Sequence, residues 1–227
     1  MILYVNGDEH TAAAKAVNSH SFANDDISFV AQGRRPHPDN LAISWGMTLS
    51  KPLGLGFKCA AESESSNDRI IRTTNQFIDS LKFLGNPYTV VVIGWSRWER
   101  EEWYDEDTKE WYQISPTSTD WPDKWKVQHK QWKTKLNQAA KEAEAHGKIY
   151  DLHLKLQERK IPHLFFNAQQ HFSNKHQADW NGCYLEPYDP TLSYAAWTKL
   201  HNLTGTDAQR RWADILFSRL TPLLNNV

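Results

Sequence analysis

Apolar residues fall along the chain in short blocks set apart by helical stretches. The first block, Ile2-Leu3-Tyr4-Val5, stops at Gly7 and gives way to Asp8, Glu9, His10, Thr11 and a string of alanines. This pattern predicts a strand over 1–6, a tight turn, and a helix beginning over Thr11 to Val17 with residue 9 displayed at its mouth. No period marks 18–40. Leu41, Trp45 and Leu49 then fall four apart, which predicts a helix capped by Asp39 or Asn40. Residues 55–62, LGFKCAAE, read as the second strand. Ile70, Phe77, Leu81 and Leu84 share one side of a helix from about Asp68 to Leu84, with Asn67 or Asp68 as cap and Gly85-Asn86-Pro87 as its stop.

Residues 88–96, YTVVVIGWS, form a continuous, β-branched apolar run, as expected of a central strand covered on both faces. Residues 97–120 are polar, aromatic and acidic, with a hairpin expected around 105–114. From Asp123 to Lys160 the spacing of Trp125, His129, Trp132, Leu136, Ala140 and Ala143 is helical, with an interruption at Gly147. A fourth strand follows over 160–168, then a long irregular stretch rich in aromatics, and a closing helix over 206–220 capped by Thr206. Strands separated by helices imply parallel pairing and a three-layer α/β/α sandwich of the flavodoxin-like kind, a single domain over 1–227 with excursions near 18–40, 97–120 and 168–203. In such sheets ligands bind at the carboxyl ends of the strands. That rule gathers 7–10, 62–67, 94–100 and 167–170 on one rim, where polar residues crowd.

Composition narrows the choices. A formal charge of −1 and a pI near 6.8 supply no field for nucleic acid or an anionic membrane. The N-terminal apolar run is too short to span a bilayer, so a soluble, non-secreted chain is expected. Cys59 and Cys183 are too few for a disulfide scaffold and lack zinc-type spacing, which suits reduced thiols in a cytosolic protein. Asp8, Glu9 and His10 are adjacent on a turn and would not point at one centre, so no metal is expected. The absence of a glycine-rich phosphate loop argues against a nucleotide enzyme, and no cofactor is expected. Among eleven tryptophans, the helical spacing of Trp125 and Trp132 favours packing over a ligand platform.

Four segments in order carry a resemblance: NGDEH at the first strand, ESSNDRIIRTT after the second, VVVIGWSRWER at the third, and GTDAQRRWADIL in the last helix. They resemble the SGNH or GDSL hydrolases, in particular a divergent branch associated with bacteriophages, over nearly the whole chain. The resemblance implies an ester hydrolase with a serine after Gly-Asp, backbone, Gly and Asn oxyanion donors, and an Asp-x-x-His pair before the final helix. Gly7 and Asp8 match, but the nucleophile position is Glu9. The oxyanion glycine falls near Ser65 and the asparagine at Ser96. The Asp and His positions land on Leu200 and Leu203, with His201 between them.

Serine attacks only when a histidine removes its proton, and preorganised donors must meet the oxyanion. A glutamate at that turn opposes the oxyanion, so no catalytic residue is expected, and Glu9 with His201 are the candidates if activity persists. Glu9 could otherwise pair with Glu62, Glu64 or Glu99 as a glycosidase-like carboxylate, or simply rest at a helix N-terminus. His10, His171 and His201 are expected to be solvated or hydrogen-bonded rather than catalytic. Arg97 and Arg100 beside Trp95 and Trp98 suit a carboxylate, a sugar or a protein partner; alternatively they pair with Glu99, Glu101 or Glu102. The expected binding rim is Asp8, Glu9, His10, Ser65, Asn67, Trp95, Ser96, Arg97 and Arg100. Its ligand would be a carbohydrate or a protein, oligomers being allowed, in a host cytoplasm or on a virion. The competing expectation is an active esterase or deacetylase with a displaced histidine, and a third is a purely structural interaction module.

Overall fold

A computed structural model describes residues 1–84, 88–173 and 178–225. Five strands, β1 (Ile2–Asn6), β2 (Gly56–Cys59), β3 (Thr89–Trp95), β6 (His163–Asn167) and β7 (Tyr184–Leu185), form one sheet in the order β2-β1-β3-β6-β7, every neighbouring pair parallel. The intervening β4 (Glu101–Asp105) and β5 (Glu110–Ile114) make a separate antiparallel hairpin. The helices are α1 (Pro38–Ala42), α2 (Trp45–Leu53), α3 (Asn67–Ser80), α4 (Lys126–Lys135), α5 (Gln138–Glu158), α6 (Tyr194–Leu200) and α7 (Gly205–Leu224).

Alternation along the strands divides the core in two. Leu3, Val5, Val90, Val92, Leu164 and Phe166 face α2, α6 and α7, around Trp45 and Trp212. Tyr4, Val91, Ile93, Trp95 and Phe165 face α3 and α5, around Ile70, Phe77, Ile149 and Leu152. The expected three-layer sandwich is therefore present, with β3 at its centre. Its winding changes direction between β1 and β3, and the crevice above such a switch point is where sheets of this order take ligands.

Local chemistry redrew several boundaries. No helix follows Thr11: Ala13 and Lys15 hold positive φ (52° and 60°), and the segment winds into turns. The helix expected from Asp39 or Asn40 is split into α1 and α2, capped by His37 and Ser44. Asn40 is instead buried, its Oδ1 accepting the Val17 and Asn18 N–H groups. The cap of α3 is Ser66, whose Oγ accepts the Arg69 N–H at 3.2 Å, rather than Asn67 or Asp68.

Gly147 interrupts nothing; the break falls at Leu136-Asn137, because the Asn137 side chain caps α5 by accepting the Ala140 N–H. The last helix starts at Gly205, after Thr204, not at a Thr206 cap. Strand β7 and helix α6 lie inside the stretch read as irregular, being too short for a period to show. The expected stop at Gly85-Asn86-Pro87 lies outside the described residues. Among those, no helix is long and apolar enough to cross a membrane.

Candidate functional site

Asn6 closes β1 and anchors the turn beyond it. Its Oδ1 accepts the Gly7 N–H at 2.9 Å, and its Nδ2 donates to Ile70 O and Thr74 Oγ1 on α3, both at 3.0 Å. The backbone is so tight here that a Cβ on Gly7 (φ +154°) would sit 2.7 Å from Gly94 O and 2.2 Å from Thr11 Oγ1. Only glycine fits there. The turn sends Asp8 inward, fully buried, where its Oδ1 accepts the His10 N–H at 3.0 Å and its Oδ2 accepts from Gln169 Nε2 at 2.9 Å. Glu9 remains partly exposed beside it.

The β3–β4 connection brings Arg100 onto Glu9. Nη1 donates to Oε2 and Nη2 to Oε1, each at 2.8 Å, so the guanidinium fork occupies both carboxylate oxygens. The Glu64 N–H adds a third donor at 3.1 Å, and Gln169 Nε2 a fourth. Arg100 Nη1 also donates to Ser96 Oγ at 2.9 Å and approaches Asp8 at 3.9 Å. Asn67 grips the Ser96 backbone from both sides, accepting its N–H at 2.9 Å and donating to its O at 3.2 Å. Residues from the ends of β1, β3 and β6 and the start of α3 thus close over the switch point.

The electrostatics separate the two carboxylates. Burial works to raise Glu9, but the hydrogen bonds and charge of Arg100 outweigh it and hold Glu9 down at about 2. Burial, then the neighbouring Glu9 charge, pushes Asp8 above its usual range. Burial opposes the charge on Arg100, yet its bonds to Glu9 leave it above its ordinary value. One guanidinium thus serves mainly one acid.

The rim expected from sequence is assembled only in part. Asp8, Glu9, Asn67, Ser96 and Arg100 meet as described. His10 turns its ring onto Tyr194 (centroids 4.9 Å apart), and its backbone O accepts from Gln209 on α7 at 3.0 Å. Ser65 is buried, its Oγ accepting from Arg69 at 3.2 Å. Trp95 is fully buried against Phe165 and belongs to the core. Arg97 pairs with Glu99 at 2.6 Å, as the alternative had it; Arg100 does not follow, since Glu9 captures it. With no helix after Thr11, Glu9 is not a helix N-terminal carboxylate.

Leu200 is exposed, and Leu203 lines a cleft of about 240 Å³ with Glu9, His10, Tyr194 and Gly205. His201 lies at the exposed end of α6 with its ring against Trp197. The hydroxyl of Thr11 is wholly buried and unpartnered. Among the described residues, no histidine ring nitrogen lies within hydrogen-bonding distance of a serine or threonine hydroxyl.

A larger cleft, about 440 Å³, opens beside this closed turn between α3, the hairpin and the loop at Arg34. Arg72 is gripped bidentately by Glu102 (2.8 and 2.7 Å) while its guanidinium lies 4.8 Å over the half-exposed Trp111 ring. Arg34 and Arg69 converge on Glu62 at 3.3 and 2.7 Å. Sequence reasoning put 167–170 on the rim without singling out Gln169, and it missed this cleft and Gln209, because each acts through partners far away in the chain. The one legible hint was the Trp111-Tyr112 pair in the expected hairpin.

No protein-family model matches the chain, and no curated protein does. A solved carbohydrate esterase, described as having an active site with divergent catalytic and non-catalytic binding functions, is similar at 14% identity and a TM-score of 0.45. The match covers 97% of this chain, which spans only 64% of that esterase chain.

Proposed function

We propose that this chain is a non-hydrolytic binding protein: an SGNH-type frame whose ester-cleaving machinery has been replaced by an ion-pair plug, and whose open cleft takes a carbohydrate. The observation that carries the reading is the fork of Arg100 on Glu9, which occupies both carboxylate oxygens with donors that an oxyanion would otherwise need. An acid held at about 2 is too weak a base to activate water near neutral pH. The cleft supports the ligand class, since the half-exposed Trp111 indole, backed by Arg72, beside paired Arg and Glu side chains offers an apolar edge and planar hydrogen bonding to a polyhydroxylated ring. The bacteriophage branch of the resemblance, with a host cytoplasm or virion location, belongs to the same reading.

The test has two parts. Chromogenic acetyl esters are expected to show no turnover above background with the wild type or with Glu9→Ser. Turnover abolished by His201→Ala would establish the rival reading. Affinity electrophoresis through a panel of soluble polysaccharides is expected to retard the wild type in at least one gel, and Trp111→Ala to run free while keeping the wild-type melting temperature. Equal mobility of the two in every gel would refute the carbohydrate cleft.

A further inference from the structure

Far from the rim, at the amino-terminal end of the sheet, three ligand-type side chains from three elements converge. His153 comes from α5, His163 is the first residue of β6, and Cys183 immediately precedes β7. One donor atom from each lies within 4.8 Å of the other two. Both histidines are buried, and Cys183 is a half-buried free thiol. The backbone pins the set: Phe165 N–H donates to Cys183 O at 2.8 Å, and Ile161 N–H to Leu156 O at 2.9 Å across the α5–β6 connection.

The hydrogen bonds dictate which ring nitrogens carry hydrogen. His153 Nε2 faces Asp179 O at 3.1 Å, and His163 Nδ1 faces Ile161 O at 2.9 Å. Carbonyl oxygens only accept, so both of these nitrogens are donors. A neutral imidazole has a single N–H. The remaining nitrogens, His153 Nδ1 and His163 Nε2, therefore present bare lone pairs to each other at 2.8 Å. Two lone pairs at that distance repel unless an electrophile lies between them. A shared proton would leave a buried cation: among the described residues the histidine ion pairs are those of His37, and the Asp179 carboxylate acts on His153 only through space. A metal cation satisfies both lone pairs at once. Outer N–H groups anchored on carbonyl oxygens are also the arrangement that orients metal-ligating histidines.

We propose that His153, His163 and Cys183 bind one zinc-class divalent cation, through Nδ1, Nε2 and Sγ, with the fourth coordination position turned toward solvent. Binding releases the Cys183 thiol proton to water, and the thiolate supplies the negative charge. Tetrahedral coordination at about 2.0–2.1 Å per nitrogen sets the two nitrogens about 3.3 Å apart, so the rings separate by about half an ångström. The access route is an open cavity of about 300 Å³ bounded by Gln157, Pro162, His163, Cys183 and Leu223. A second cluster, His20, Asp26 and His37, fails the same test. His37 Nδ1 accepts the Asp39 N–H at 3.3 Å, so its Nε2 is a donor toward Asp26 and holds no lone pair for a metal.

The experiment is a titration of the chelator-stripped full chain with Co²⁺, followed by Zn²⁺. One equivalent of Co²⁺ is expected to produce a near-ultraviolet thiolate charge-transfer band with the visible bands of a tetrahedral site, and Zn²⁺ to erase both. Cys183→Ser, nearly isosteric, should lose the charge-transfer band with an unchanged circular dichroism spectrum. His153→Gln and His163→Gln should weaken binding at least about ten-fold, while Cys59→Ser and His37→Gln leave it as in the wild type. Because the buried histidine variants can perturb folding, alkylation of the wild type gives a second reading. Zn²⁺ should protect Cys183 from iodoacetamide in the folded chain. A charge-transfer band that survives Cys183→Ser, the absence of any such band in the wild type, or Cys183 alkylation indifferent to Zn²⁺ would overturn the proposal.

Discussion

Glu9 and Arg100, 91 positions apart, meet through two 2.8 Å hydrogen bonds directly above the junction of β1 and β3. The pair lies where the winding of the sheet reverses, so it occupies the crevice that a parallel α/β sheet reserves for its ligand. It joins the segments that follow two neighbouring strands. Its consequences for stability and for acid response are separable.

Breaking one partner should cost more than removing both. Glu9→Gln or Arg100→Met leaves a largely buried polar group without its counterpart, and each is expected to destabilise the chain by about 3 kcal/mol. The double variant should cost clearly less than the sum. Urea unfolding of the four proteins checks this, and additive losses would mean that the two side chains do not interact in solution.

Acid titration has a defined sign. Glu9 sits at about 2 in the folded chain, below its unfolded value of about 4.3. Between these values the unfolded state binds more protons, so the contribution of Glu9 is complete above the upper value and lost as pH falls through the lower one. Asp8, pushed upward, works in the opposite direction: it costs stability as pH rises from its unfolded value through its raised folded one. Arg100→Met should therefore flatten the loss of stability below about pH 4.3 relative to the wild type, as read from melting temperature against pH. Parallel profiles would contradict the assignment.

Gly7→Ala tests the turn itself. An added Cβ meets Gly94 O, a backbone atom that cannot swing aside, at 2.7 Å, and φ +154° is a conformation L side chains rarely adopt. Strain and overpacking together should cost about 3 kcal/mol or more. A melting temperature within a degree or so of the wild type would show that the turn relaxes freely.

The hairpin is held by rings. Trp103 makes edge contacts with Trp125 and Trp132 at 5.6 and 6.0 Å, and Trp132 Nε1 donates to Glu101 at 2.8 Å. Trp103→Ala should release β4, β5 and α4 locally, raising their amide exchange while the central strand β3 stays protected. Uniform acceleration across the sheet would show instead that hairpin and sandwich unfold as one unit.

The sandwich was legible because strands buried on both faces write a local signal. A run such as Val90 to Ile93 has no polar alternative, and the amphipathic stripe of α3 leaves one face for the sheet. Glycine after β1, the hairpin and the order of elements were likewise local matters. Boundaries that depended on competing side chains were not. Asn40 and Asn67 have the composition of helix caps, but each is engaged by partners 22 to 29 positions away.

The chain alone also determined that Glu9, not a serine, follows Gly7-Asp8, since residue identity requires no coordinates. Only the tertiary structure decided which acid Arg100 serves, that Trp95 is core, that Arg72 and Trp111 line a cleft, and that His153, His163 and Cys183 share a point in space. The physical reason is common to all four. Side-chain partnerships between elements depend on strand order and register, and in a parallel sheet neighbouring strands are separated by whole crossovers of sequence, so no short-range spacing records them.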